Sequence, residues 1–247
     1  MSPSLLQDPL PKQTMDSVVA VAKTAFQSAR LKYIKIDEAD EHIKAFIPDV
    51  DDDPLMQVLA SPDMLRPKGK KDIDHYMEQQ SKSFLGVAVC LLPEEESKHA
   101  DEERRSGSDD GDENGVREGG KENKTETTTA GPTIIGTMCL GWGGQPQSMS
   151  HHRNSSIGIT LATKYQNKGY GREAINWMLD WAFRHAGMHT VSIVTYSFNE
   201  RGAHLYRDIG FQLEGRRRQV AWFDRKWYDE LWFGMMEGEW EKLRGLV

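Results

Sequence analysis

The segment Gln166–Arg172 (QNKGYGR) has the residue types to do chemistry. Gly169 and Gly171 let backbone N–H groups approach a ligand without interference from a Cβ. Lys168 and Arg172 add two full positive charges. The segment opens the most regular amphipathic stretch of the chain, so a helix N-terminus would add unsatisfied donors and a partial positive charge. Together these features suit a phosphate or pyrophosphate. The same residues also suit a plain glycine turn from strand to helix, with no ligand. The P-loop string G-x-x-x-x-G-K-[ST] is absent. Gly169, Gly171 and Ala174 do satisfy G-x-G-x-x-[GA], but the next strand ends at Tyr196–Ser197 without the acid that would hold a ribose. The glycines also lie about seven residues past the preceding strand, where a dinucleotide fold needs a tight turn, so the match is accidental.

The flanking elements follow from periodicity. Ser156–Ala162 alternates Ile157, Ile159 and Leu161 with small residues, which predicts a strand with one packed face. Gly171–Ala186 carries Ala174, Ile175, Met178, Leu179, Ala182 and Phe183 at helical spacing, with Gly187 placed to end it. Thr190–Tyr196 is a further strand, Asn199–Ile209 a helix ended by Gly210, and Phe211–Gln219 and Asp229–Glu237 two strands around an aromatic-rich turn. Upstream, Arg30–Ile36 reads as a strand. Asp37 reads as the cap of a helix running to Ile47, Asp49–Pro54 as a break, and Asp72–Lys82 as a second helix. Phe84–Leu92 and Thr133–Trp142 are apolar runs that pair as a hairpin, the first buried on both faces. This order predicts an α+β fold, a mixed sheet with helices on its faces and a βαβ unit embedded in it.

The hairpin's turn has swollen by forty residues. Residues 93–132 hold 13 acids and 6 bases, which accounts for the whole net charge of −7 in the 247-residue chain. Their only apolar side chains are Ala100, Val116 and Ala130, and none of the chain's aromatics falls there. Such a segment cannot bury enough apolar surface to offset its ordering entropy, so disorder is expected, separable from the cofactor site. A long loop costs only about 0.6 kcal/mol per doubling. Residues 1–25 read as a flexible arm and 26–247 as a single domain carrying the insert.

Other classes are excluded or disfavoured. No run reaches the roughly 18 apolar residues of a membrane span, and Met1–Asp16 lacks the pattern of a secretory signal. The remainder of the chain is net-neutral, and Arg216–Arg218 fit a solvated strand edge, which argues against nucleic acid. Cys90 and Cys139 sit in apolar runs, as small buried hydrophobes of a reducing compartment, the cytoplasm or the nucleus. His151–His152 has no Cys or acid at ligand spacing, so no metal is expected.

Two longer stretches, ITLATKYQNKGYGREAINWMLDWAF and SFNERGAHLYRDIGFQLEGRRR, resemble the GNAT N-acetyltransferases, in the branch that contains the ribosomal-protein and spermidine N-acetyltransferases. QxxGxG matches that family's acyl-CoA pyrophosphate cradle, and N-x-x-x-x-x-LY-x-x-x-GF its second signature. The likeness covers about residues 28–92 and 133–240. It implies a mostly antiparallel sheet of about six to seven strands, acetyl-CoA as cosubstrate, and transfer of an acetyl group to a primary amine by direct attack in a ternary complex. It further implies that the strand before the loop splays from its neighbour, so that backbone groups of Ile159 and Leu161 bond the pantetheine arm. The pyrophosphate would lie on the backbone of Gln166, Asn167, Lys168, Gly169, Tyr170, Gly171 and Arg172. Asn199, Ala203 and Tyr206 would share a helix face beside the cofactor, with Tyr206 protonating the leaving thiolate. A phenol keeps its proton at neutral pH, which suits that role. Gly202–Ala203 departs from the family's usual Ala-Ile, and no general base is identifiable; Glu200 and Glu214 are merely nearby in sequence.

In the family the acceptor amine lies against the first helices and the last strand connection. Here those carry Glu38–Glu41, Asp49–Asp53, Trp222, Phe223, Trp227 and Tyr228. Acids and aromatics attract a cationic amine, be it a small amine, a polyamine or a protein N-terminus. The same acids could equally cap helices while the aromatics pack the end of the sheet. The expected state is a monomer or a homodimer. A non-catalytic CoA-binding or scaffold module on the same fold is the alternative reading.

Overall fold

The apolar run at Leu85–Leu91 becomes a strand whose residues from Gly86 onward are all buried, the second strand from one edge of a seven-stranded sheet. The computed structural model describes residues 14–61, 63–106, 131–141 and 147–247. The strands are β1 (Leu31–Lys35), β2 (Leu85–Leu91), β3 (Ile134–Gly141), β4 (Asn154–Leu161), β5 (Thr190–Tyr196), β6 (Gln212–Phe223) and β7 (Lys226–Met236). Their order is β1-β2-β3-β4-β5-β7-β6, antiparallel throughout except for the parallel pair β4–β5. The fold is therefore the mixed, mostly antiparallel α+β sheet expected, with the β2–β3 hairpin in place.

Helices cover both faces. On one, α7 (Tyr170–Arg184) crosses between the parallel strands and buries Ala174, Ile175, Met178, Leu179 and Ala182 on Val87, Val89, Met138, Ile157 and Val191. Trp177 stacks on Tyr33 at 3.6 Å and donates its indole N–H to the Ala25 carbonyl. Next to it lies α8 (Glu200–Ile209), ended by Gly210 at φ 113°. On the other face, α2 (Glu41–Phe46) and α5 (Lys70–Lys82) close over a second core of Ile36, Ile43, Ile47, Met77, Ala88, Cys90 and Ile134, and α3 (Pro48–Asp51) and α4 (Pro54–Ala60) lie between them in sequence.

Several expectations are corrected. Asp40, not Asp37, caps α2, accepting from His42 and Ile43 N–H. Asp49–Pro54 is not a simple break: Pro48 opens α3, and Asp53 with Pro54 at the first helical position opens α4, the usual start signals of a helix. Residues 15–23 form a helix, α1 (Met15–Lys23), inside the arm expected to be flexible, although it buries no residue. Residues 93–106 of the insert form α6 (Pro93–Ser106), so disorder is wrong for that part; the rest of the insert lies outside the described residues. A short 3-10 helix, Gln147–His152, interrupts the loop before β4. β6 and β7 run longer than expected and meet at Asp224–Arg225, both at positive φ. An unexpected α9 (Glu237–Leu243) buries Trp240 against Phe183.

Candidate active site

The site begins where a ladder stops. β4 and β5 pair only from Asn154–Thr190 to Ile157–Ile193. β4 continues to Leu161 along β3, and β5 to Tyr196 along β7, so the two strands diverge. The Ala162 N–H bonds the Ile135 carbonyl of the neighbouring strand at 2.9 Å. By strand alternation the backbone groups of Ile159 and Leu161 therefore face the gap. The Leu161 carbonyl accepts from Gln166 Nε2 at 2.9 Å, which ties the following loop to the strand.

That loop turns with Asn167 at φ 60° and Gly169 at φ 83°, and Gly169 caps α7 without any side-chain acceptor for its first N–H groups. A Cβ at Gly169 would also come within 3.2 Å of Arg30 Nη2, so both space and conformation call for glycine there. The gap, the turn and α8 enclose a cleft of about 360 Å³. Of the residues singled out in the sequence, Ile159, Leu161, Gln166, Asn167, Gly169, Gly171, Arg172, Asn199 and Tyr206 line it. Lys168, Tyr170 and Ala203 do not: Tyr170 and Ala203 are turned into the core, and Lys168 Nζ lies 3.3 Å from His99 Nδ1. Sequence reasoning missed Arg201, which sits in the Asn-Glu-Arg triplet that opens α8. Its guanidinium donates to Gln166 Oε1 at 2.5 Å and Asn167 Oδ1 at 3.1 Å, clamping the turn to α8. It also missed Met56, Leu59 and Ala60 of α4, which form the opposite wall.

Tyr206 is 8% exposed, with its ring edge-on to Phe211 and Phe233. Burial pushes the phenol up to about 12, so it remains protonated. Asn199 caps α8, accepting the Gly202 N–H at 3.0 Å. This explains the departure at Gly202: a Cβ there would stand 2.8 Å from Asn199 Nδ2.

Beyond α4 lie two more cavities. One, of about 400 Å³, gathers Asp51, Asp63, Asp72 and His75 around Lys68, and touches Thr160 of β4. Burial raises the Asp51 carboxyl, and its Oδ1 lies 4.0 Å from Lys68 Nζ. The other, of about 690 Å³, is aromatic and apolar: Met64, Leu65, Tyr196, Phe198, Trp222 and Phe223, with Asp63 and Asp224. Trp227 packs on Trp222, and Tyr228 stands edge-on to Phe198. Of the other candidate acids, Asp40 and Asp53 cap helices, Glu38 accepts from Ser81, and Asp52 from the Lys68 N–H. Glu214 lies across Gly234 on the outer strands, away from the cleft. Arg216 and Arg217 pair with Asp229 and Glu230 of the adjacent strand. Among the described residues, no group of three or more His, Cys, Asp or Glu gathers as metal ligands, and no helix is long and apolar enough to cross a membrane.

Comparison with known proteins agrees with this geometry. A spermidine N(1)-acetyltransferase from Vibrio cholerae is 30% identical over 78 residues, 32% of this chain and 45% of the relative. An uncharacterized prophage-derived N-acetyltransferase from Bacillus subtilis is 32% identical over 95 residues, 38% of this chain and 54% of the relative. The chain thus spans about half the length of the curated relatives it matches. The crystal structure of spermidine N-acetyltransferase from Vibrio cholerae in complex with CoA and spermine superposes with a TM-score of 0.61 at 14% identity, covering 86% of this chain and 99% of that one. An acetyltransferase of the GNAT family from Bacillus anthracis gives 0.58 at 16% identity, over 86% and 98%. The pattern of the acetyltransferase (GNAT) domain matches residues 42–212, more than half of the sequence, and the chain belongs to that family.

Proposed function

We propose that this chain is an acyl-CoA-dependent N-acetyltransferase, with residues 26–247 as one catalytic domain, moving an acetyl group from acetyl-CoA to a primary amine within a ternary complex. The observation that carries this reading is the divergence of β4 and β5 beside an uncapped, glycine-containing helix start, with a protonated phenol in the same cleft. Gly169 lines the cleft at φ 83°, a conformation that glycine adopts without strain and that leaves its N–H beside the ligand space. Backbone groups of Ile159 and Leu161 hold the pantetheine arm as an added strand would. N–H groups of the 166–172 turn hold the pyrophosphate, and Arg172 adds charge from the cleft wall. The thioester supplies an acyl carbon open to a neutral amine. As the C–N bond forms and the C–S bond breaks, Tyr206 gives its proton to the departing sulfur, the amine's own proton leaves to solvent, and the phenolate takes a proton back from solvent to restore the phenol. The relative named for spermidine and the acid-lined and aromatic cavities both favour a cationic amine, whether a small amine, a polyamine or a protein N-terminus. The two free cysteines, one of them fully buried, suit a reducing compartment, cytoplasm or nucleus, and the working form is a monomer or homodimer.

The test is free-thiol release from acetyl-CoA over a panel of amines. Release with at least one amine is the expected result. Stabilisation by acetyl-CoA without thiol release from any amine would overturn catalysis and leave a binding module.

A further inference from the structure

Composition marks the insert as a solvated appendage, yet its first turns lie against the pyrophosphate turn. We propose that Glu95 and His99 of α6 are positioning residues for acyl-CoA binding, bracing the turn from below. This rests on the reading of that turn given above.

Glu95 and His99 stand four residues apart and so share one helix face. Tyr170 lies between the turn's two glycines and reaches down to both of them. Its hydroxyl donates to Glu95 Oε1 at 2.8 Å. That proton being committed, the 2.5 Å contact with His99 Nε2 requires the ring nitrogen to be the donor. His99 is then the neutral tautomer with Nδ1 free to accept, and the group 3.3 Å from Nδ1 is the Lys168 ammonium, which can only donate. The tautomer is thus assigned by its neighbours. A directed chain runs from Lys168 through His99 and Tyr170 to Glu95, with no acceptor left facing an acceptor.

Around it, Arg30 lies over the Tyr170 ring at 4.4 Å, bonds the Lys168 carbonyl at 3.1 Å, and pairs with Glu173 and Glu95. Glu96 takes the Thr133 N–H at 2.6 Å, pinning the base of the insert beside β3. Glu95 is only 8% exposed and Tyr170 1%, so the bond between them is shielded from water and sensitive to loss of a partner. Releasing Tyr170 would turn the amides of Gly169 and Gly171 on either side of it, the groups that must aim at the diphosphate. A preorganised cradle binds more tightly because less ordering remains to be done on binding.

The experiment compares full-length wild type with His99→Leu, His99→Gln and Tyr170→Phe. It reads the acetyl-CoA dissociation constant by calorimetry, the melting temperature, and KM against kcat. His99→Leu and Tyr170→Phe are expected to weaken acetyl-CoA binding about tenfold, the loss falling on KM rather than kcat. His99→Gln keeps one donor and one acceptor and is expected to recover most of the affinity. Replacing residues 107–130 with a Gly/Ser segment of equal length leaves affinity at the wild-type level. A lower melting temperature with unchanged affinity in both His99→Leu and Tyr170→Phe overturns the brace and leaves only a fold-stabilising contact. If His99→Leu does not fold, Tyr170→Phe, which keeps the ring, decides alone. Wild type that binds no acetyl-CoA sinks the reading of the turn itself, an outcome distinct from variants that bind as well as wild type.

Discussion

The cofactor cleft and the two cavities beyond α4 are built by different means. The cleft draws on one nearly contiguous stretch, Ile159 to Ile175, plus α8 and one wall of α4, and it offers main-chain groups to its ligand. The cavities draw on α3, α4, the segment around Lys68, α5 and the β6–β7 hairpin, and they offer side chains. Main-chain donors are fixed by turn conformation and tolerate drift of the surrounding side chains. Side-chain walls change with every substitution. A constant ligand can therefore be held by the first kind of surface while the second varies with the acceptor.

This division is open to attack by substitution. The largest effect is expected from Tyr206→Phe, which removes the proposed proton donor but keeps the ring between Phe211 and Phe233. Turnover should fall about a hundredfold or more, with acetyl-CoA affinity within twofold of wild type. Unchanged turnover would remove Tyr206 from the chemistry. Because burial raises the phenol to about 12, the wild-type kcat profile should show no alkaline fall below about pH 10. A descending limb near neutrality would point to another acid.

Next in size is Gly169→Ala, which places a Cβ on a backbone at φ 83° and 3.2 Å from Arg30. We expect acetyl-CoA binding to weaken about fivefold, equally for every amine, with about 1 kcal/mol lost from stability. An effect that depended on the amine would dissolve the division between the two surfaces. Asp51→Asn is the converse case. It should raise the amine KM several-fold and leave the acetyl-CoA dissociation constant alone. No change in KM for any accepted amine would show that the acid-lined cavity is not the acceptor site. The smallest effect belongs to Gly202→Ala. Its Cβ would push Asn199 off the α8 cap, at about 1 kcal/mol, or roughly 2–4 °C in melting temperature. A variant as stable as wild type would mean that the cap shifts without cost.

The same contrast governs what could be read in advance. β4, α7, β5 and α8 were legible because their signals are local: alternation in SIGITLA, a helical stripe from Ala174 to Phe183, and glycines at both helix ends. The strand divergence was implied by family resemblance, not by any local pattern. α4 was missed because Asp49–Asp53 looked like a charged break, although Asp53–Pro54 is a cap followed by a favoured first residue. α6 was missed for a deeper reason. Weighing apolar area counts only one route to order, and this helix is docked by polar bonds from Glu95, Glu96 and His99 to Tyr170 and Thr133. Tyr170 is expected to offer its backbone to the pyrophosphate; that its side chain faces the core carries no local signal in the sequence. Arg201 carried a visible signal, a cation at the start of α8, but its partners Gln166 and Asn167 are 35 and 34 residues away.

α4 is the shared wall of all three cavities. Met56 and Ala60 face both the cofactor cleft and the acid-lined cavity, and Gln57 faces the acid-lined and aromatic ones. The helix has only seven residues, tied down by Gln57 Nε2 to the Asp51 carbonyl, by Asp53 to Thr163, and by the flexible thioether of Met56 against Gln166. A ligand that shifts this wall from one side reshapes it for the other. In the proposed ternary complex the two substrates would then be coupled by a single free energy, and any factor by which acetyl-CoA sharpened the amine's binding would be returned undiminished. In initial-rate kinetics that coupling has a plain signature. Reciprocal plots for one substrate, taken at several fixed levels of the other, cross away from the horizontal axis.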